Sequence, residues 1–160
     1  MTNNDKLRRI RYALDISDRE VVALFAHVDY ALEPMELDAM FRKEDDPLFD
    51  ECPDDIAGLF LEGLVISRRG KKEDSKGPAH KTSISNNDYL KALRIALKLR
   101  DEDLIAIMRR AGVNVSKGEL GALFRAVGHS NYRPCGDQFL RNFLAGLTAE
   151  LRGTAGSLGA

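Results

Sequence analysis

The sequence predicts an all-α protein built as a tandem duplication of a four-helix unit, the two copies in a pseudo-twofold arrangement. Three observations predict it. Residues 3–64 and 86–147 align without a gap at an offset of 83, and 20 of the 62 paired positions are identical, which sets the register of the repeat without ambiguity. Within each copy the apolar residues recur at spacings of three and four, the period of an amphipathic helix rather than the alternation of a strand. Residues suited to starting a helix stand at matching places in both copies.

The first helix carries Leu7, Ile10 and Leu14, matched by Leu90, Leu93 and Leu97. It opens on Asn3-Asn4-Asp5 and Asn86-Asn87-Asp88, whose short side chains suit the capping of free backbone N–H groups. The second carries Val21, Val22, Phe25 and Val28 against Leu104, Ile105, Met108 and Ala111, with Ser17 and Glu20 spaced as a capping box. The third starts at Glu33-Pro34 in one copy and at Ser116 with Glu119 in the other; its stripe is Leu37, Met40 and Phe41, or Leu120, Leu123 and Phe124. The fourth starts near Cys52-Pro53-Asp54 and Cys135-Gly136-Asp137. Its stripe runs Ile56, Leu59, Phe60, Gly63, Leu64 and Phe139, Asn142, Phe143, Gly146, Leu147. A glycine inside a helix costs about 1 kcal/mol relative to alanine, so its retention on both stripes points to the close approach of another helix.

The chain therefore divides into helical repeat 1 (1–70), a flexible linker (71–85), helical repeat 2 (86–152) and a disordered tail (153–160). The linker is polar with Gly77 and Pro78, which leaves the copies free to arrange themselves. Units of roughly 60–70 residues are small for independent stability, which favours a shared core. The formal net charge of −1 conceals a split: residues 1–70 carry −7, residues 71–85 carry +2 and residues 86–160 carry +4. Such a division creates a local anion-attracting surface or draws one molecule to another head to tail. No apolar run approaches the roughly 18 residues that cross a bilayer, and the polar start lacks a signal-peptide core, so no membrane association and a cytoplasmic location are expected. Two cysteines are too few for a disulfide framework.

Asn-Asn-Asp, Phe41-Arg42-Lys43-Glu44-Asp45-Asp46, Arg69-Gly70-Lys71 and Cys135-Gly136-Asp137-Gln138-Phe139-Leu140-Arg141 together resemble the YehS-like family of uncharacterised bacterial proteins, short cytoplasmic chains with two tandem copies of a domain of unknown function. The resemblance covers residue 2 to about residue 150. It implies the two-copy helical architecture and a bacterial source, and it supplies no activity.

No constellation of catalytic or cofactor-binding type emerges. Cys52 with Asp54, and Cys135 with Asp137, stand at helix starts, where a thiol pKa falls; the same residues also read as small apolar filler and dipole compensation, and His27, His80 and His129 occupy unrelated repeat positions. One cysteine per copy does not supply the four ligands of a zinc site, and the acidic run Glu44-Asp45-Asp46 with Asp50, Glu51, Asp54 and Asp55 lacks calcium-loop spacing. No catalytic residue, cofactor or metal is expected. The basic residues Lys91, Arg94, Lys98, Arg109, Arg110 and Arg125 form the candidate anion or nucleic-acid contact, the first three on one helix face. A helix-turn-helix over residues 103–126 fits poorly, with bulky Met108 where a small residue belongs and Asp29 standing for Gly112 in copy one. The polar residues shared by the repeats are Arg11, Arg42, Cys52 and Asp54, matched by Arg94, Arg125, Cys135 and Asp137; the arginines are expected to pair with shared acids such as Asp18/Asp101 or Asp54/Asp137. The expected role is a non-catalytic protein-interaction module with an unidentified protein partner, the alternative being a nucleic-acid-binding or regulatory protein that uses the basic second repeat.

Overall fold

The computed structural model describes residues 1–70 and 83–152. The predicted linker and tail fall largely (71–82) or wholly (153–160) outside the described residues. Eight helices and no strand occur among the described residues: α1 (Asn3–Leu14), α2 (Asp18–Ala26), α3 (Pro34–Ala39), α4 (Asp54–Arg69), α5 (Asn86–Leu97), α6 (Asp101–Arg110), α7 (Lys117–Phe124) and α8 (Asp137–Leu151). The fold is the duplicated four-helix unit that the sequence predicts.

Equivalent residues shape equivalent ends. Asp15 and Lys98, which follow α1 and α5, both adopt left-handed backbone, at φ 53° and 55°. The turn after α2 and α6 needs the same conformation, at φ 58° for Asp29 and 81° for Gly112, so an aspartate stands in for the glycine. The caps of α1 and α5 are not the asparagines but Thr2 and Ser85, whose hydroxyls accept from the N–H groups of Asp5 at 3.1 Å and Asp88 at 3.2 Å. Ser17 caps α2 in the same way, and capping boxes close α3 at Glu33 and α7 at Ser116.

Two predicted stripes need correction. Along α2 and α6 the buried residues are Val21, Leu24, Phe25 and Leu104, Ile107, Met108, while Val22 is 42% exposed. A period of 3.6 accommodates either neighbouring face, and the packed one carries Leu24 and Ile107. Helix α3 is only six residues long, yet its predicted stripe faces inward: Met40, at its C-cap, enters the core, and Leu37 and Phe41 pack against it partly buried.

Gly63 and Gly146 have the role predicted for them. A Cβ on Gly63 would stand 2.1 Å from the carbonyl oxygen of Leu24, and one on Gly146 2.1 Å from that of Ile107. Helix α2 thus lies backbone-close on α4, and α6 on α8.

The units do not sit apart. The most extensive contacts between them are α4 against α5 and α1 against α8, and both far exceed the contacts of α1 with α4 or α5 with α8 inside each unit. One continuous cluster of buried residues spans both copies, from Leu7, Ile10 and Phe60 to Leu90, Leu93 and Phe143. The freedom expected from a polar linker gives way to this packing, because neither unit buries its own α1 or α4 stripe alone.

Candidate interaction site

The polar residues that the repeats share assemble into a lattice within the fold. In α1 the carboxamide of Asn4 donates to the carbonyls of Ala39 (3.2 Å) and Asp50 (3.1 Å) and accepts from the Cys52 N–H (2.7 Å). Asn3 donates to the Cys52 carbonyl at 2.9 Å and to Asp54 Oδ1 at 2.7 Å. Copy two repeats this: Asn87 donates to the carbonyls of Leu123 and Arg133 and accepts from Cys135, while Asn86 holds the Cys135 carbonyl and Asp137 Oδ1. Two motifs 49–51 residues apart are thus halves of one clamp that fixes the segment entering α4 or α8. The asparagines went unrecognised as tertiary donors in the sequence; the signal was their identity in both copies together with that of Cys-x-Asp.

The clamps are also joined across the copies. The second oxygen of Asp54 accepts from the Ile84 N–H at 3.0 Å, and that of Asp137 from the Met1 amine at 2.8 Å. Tyr89 donates its hydroxyl to Asn3 Oδ1 at 2.8 Å. The residue equivalent to Tyr89 is Lys6, and the Oδ1 of Asn86, equivalent to that of Asn3, is buried without a hydrogen-bond partner among the described residues. The amine and Asn86 hold the Asp137 carboxyl well below the ordinary range, at about 2.

This setting reverses the lowered thiol pKa expected at a helix start. Cys52 and Cys135 precede the N-caps of α4 and α8, and both are buried. Burial first, and neighbouring carboxylates second, push the thiols up to about 12 and about 11. Both are protonated at neutral pH, so reaction with a thiol reagent at pH 8 is expected to be at least about 100-fold slower than for free cysteine, with two thiols released in denaturant. Fast labelling of the native protein is the result that contradicts this.

The shared arginines divide. Arg11 pairs with Asp18, donates to the Ile16 carbonyl at 2.8 Å and lies 4.7 Å from the centre of the Phe41 ring. Arg94 repeats the arrangement with Asp101 at 3.0 Å and the Phe124 ring at 4.6 Å. Arg42 pairs with Asp38 and reaches the Leu48 carbonyl. Arg125 does not follow, because position 121, equivalent to Asp38, is glycine. Arg125 is exposed and makes no ion pair among the described residues.

The remaining basic candidates are dispersed. Lys91 is exposed on α5 without an ion pair among the described residues, whereas its counterpart Arg8 pairs with Asp5. Lys98 is exposed where α5 ends. Arg109 is exposed, and Arg110 turns to Glu150 at 3.1 Å and to the Ala149 carbonyl. A straight track along α5 is interrupted at Arg94, which faces Asp101. Lys91 and Arg125 instead share a groove of about 770 Å³ between the start of α5 and the end of α7, also lined by Ile84, Asp88, Phe124, Val127 and Tyr132. Val127 is 83% exposed there. A second opening, of about 500 Å³, lies between the copies and contains Arg68 and Arg152, the latter already bonded to Asp15 and the Tyr12 carbonyl. Among the described residues no three His, Cys, Asp or Glu side chains gather as a metal set, and no helix is long and apolar enough to cross a membrane.

The DUF1456 family, described as a protein of unknown function, matches the sequence twice, over residues 3–70 and 86–153. The chain belongs to the DUF1456 family. The two matches coincide with the two helical units of this chain, each with its Asn-Asn and Cys-x-Asp clamp. The uncharacterised protein YehS of Escherichia coli (strain K12) is 40% identical over 149 residues, spanning 93% of this chain and 96% of that DUF1456 relative. No solved structure matches the chain.

Proposed function

We propose that this DUF1456 protein is a non-catalytic, cytoplasmic interaction module that takes an acidic protein segment in the groove between α5 and α7. The observation that carries the reading is the unequal fate of equivalent arginines: Arg42 is neutralised by Asp38, whereas Gly121 leaves Arg125 uncompensated beside Lys91, an aromatic ring and an exposed valine. Two exposed cations beside Phe124 and Val127, in a groove otherwise largely polar, favour a partner that is anionic and carries an apolar side chain. The absence of catalysis is supported by what the shared residues do. Asn, Asp and Arg of the repeats bond one another, and the thiols are held protonated.

The test is capture from nuclease-treated cell extract at low salt, with Lys91→Glu/Arg125→Glu as the comparison. A protein held by the wild type and reduced at least about tenfold with the double variant is the expected result, since reversing two charges at a contact removes attraction and adds repulsion. Capture indifferent to the substitutions, or neither a captured protein nor self-association that depends on Lys91 and Arg125, removes the reading. Steeply salt-dependent binding of RNA or DNA that the same substitutions abolish transfers the groove to a nucleic-acid role instead.

A further inference from the structure

We infer that the occupant of the α5–α7 groove is the acidic loop of a second copy of this chain; this rests on the groove being a partner site. The two surfaces are the same place in the fold with opposite charge. Residues 125–133 carry two arginines, a histidine and no acid, while the equivalent residues 42–50 carry four acids, Glu44, Asp45, Asp46 and Asp50, against two bases, Arg42 and Lys43, the former already paired with Asp38. The acidic loop is already shaped for insertion. Turns close from the Asp46 N–H to the Lys43 carbonyl (3.0 Å) and from the Phe49 N–H to the Asp46 carbonyl (2.9 Å), and Asp46 Oδ1 accepts from the Leu48 N–H (2.8 Å). Leu48 is left 69% exposed amid the acids, an apolar tip able to meet Phe124 and Val127 within the groove. A preformed loop loses little conformational freedom on docking.

The helices that lead into the two loops lie in different units: among the described helices α3 packs against α2, and α7 against α5 and α6. Charges of −7 on residues 1–70 and +4 on residues 86–160 therefore attract between molecules, while a net charge of −1 leaves little overall repulsion. Because the joined surfaces differ, the contact either closes as a reciprocal, isologous pair or is heterologous and continues from molecule to molecule.

Sedimentation velocity of the full chain over a concentration series decides the matter, in salt of about 20 mM and about 500 mM. Self-association at low salt, at least about tenfold weaker at high salt, is expected, since exposed charge pairs are screened. Glu44→Lys/Asp45→Lys and Lys91→Glu/Arg125→Glu each alter exposed side chains, and circular dichroism verifies that each variant keeps its helices. Each variant alone is expected to be monomeric, and an equimolar mixture of the two to associate again, since each restores the charge that the other lacks. A wild type that stays monomeric at low salt overturns the inference, as does association that persists in both variants or ignores salt. A monomeric wild type that still captures another protein through Lys91 and Arg125 overturns the second copy as occupant and leaves the interaction reading standing; loss of both removes both.

Discussion

Gly63→Ala lowers stability by about 2–3 kcal/mol, a fall in Tm of about 4–12 °C for a chain of this size. The added Cβ meets the Leu24 oxygen at 2.1 Å and its carbonyl carbon at 2.7 Å, and these are backbone atoms that no rotamer change moves aside. Helix propensity acts in the opposite direction by about 1 kcal/mol, so the net loss is smaller than the strain of separating α2 from α4. Gly146→Ala behaves alike, against Ile107. Gly58→Ala, on the same helix as Gly63 with no atom within 4 Å of the added Cβ, gains up to about 1 kcal/mol and serves as the control. Urea unfolding of the three variants measures all of this. Equal stability of Gly63→Ala and Gly58→Ala contradicts the close packing of α2 on α4.

Asn4→Ala costs about 3 kcal/mol, for a different reason. The side chain is fully buried and makes three hydrogen bonds to backbone groups 35–48 residues away, and its loss strands two carbonyls and one N–H. Asn4→Asp is the sharper variant. It keeps the acceptor for the Cys52 N–H but turns the donor toward two carbonyl oxygens, so the carboxyl is favoured in its protonated form and its folded pKa lies above the unfolded value of about 3.9. The sign follows: relative to wild type the penalty is largest at neutral pH, where the unfolded side chain is ionised, and shrinks as pH falls toward about 4. Unfolding at pH 7 and pH 4 reads the difference, and a penalty independent of pH contradicts the placement of that carboxamide.

The helices and their duplication were legible because both signals are local or repeated: apolar spacing, a capping residue, and an offset that never slips. Leu24 and Ile107 were passed over because adjacent stripes on a short helix satisfy the same period, and only the approach of α4 or α8 selects one. The asparagines were misassigned because capping is a contact within one turn, whereas theirs span half a unit. Of the basic candidates, Lys91 and Arg125 converge on one groove, while Arg109 and Arg110 lie where α6 ends. The decisive difference, Asp38 against Gly121, was present in the aligned copies, but its meaning depends on Asp38 lying one helical turn before Arg42 and bonded to it.

The pairing of α1 with α8 and of α4 with α5 has a consequence for how the molecule comes together. A single unit presents both an α1 surface and an α4 surface, and each is completed by the other surface of its neighbour. Two separate units would therefore meet as an isologous pair, with an affinity set by their concentration. Covalent connection replaces that second-order encounter with an internal one, at an effective concentration on the order of millimolar for a short tether. Occupancy of the paired state is then independent of dilution, and the two halves, released from having to be identical, are free to carry opposite charge.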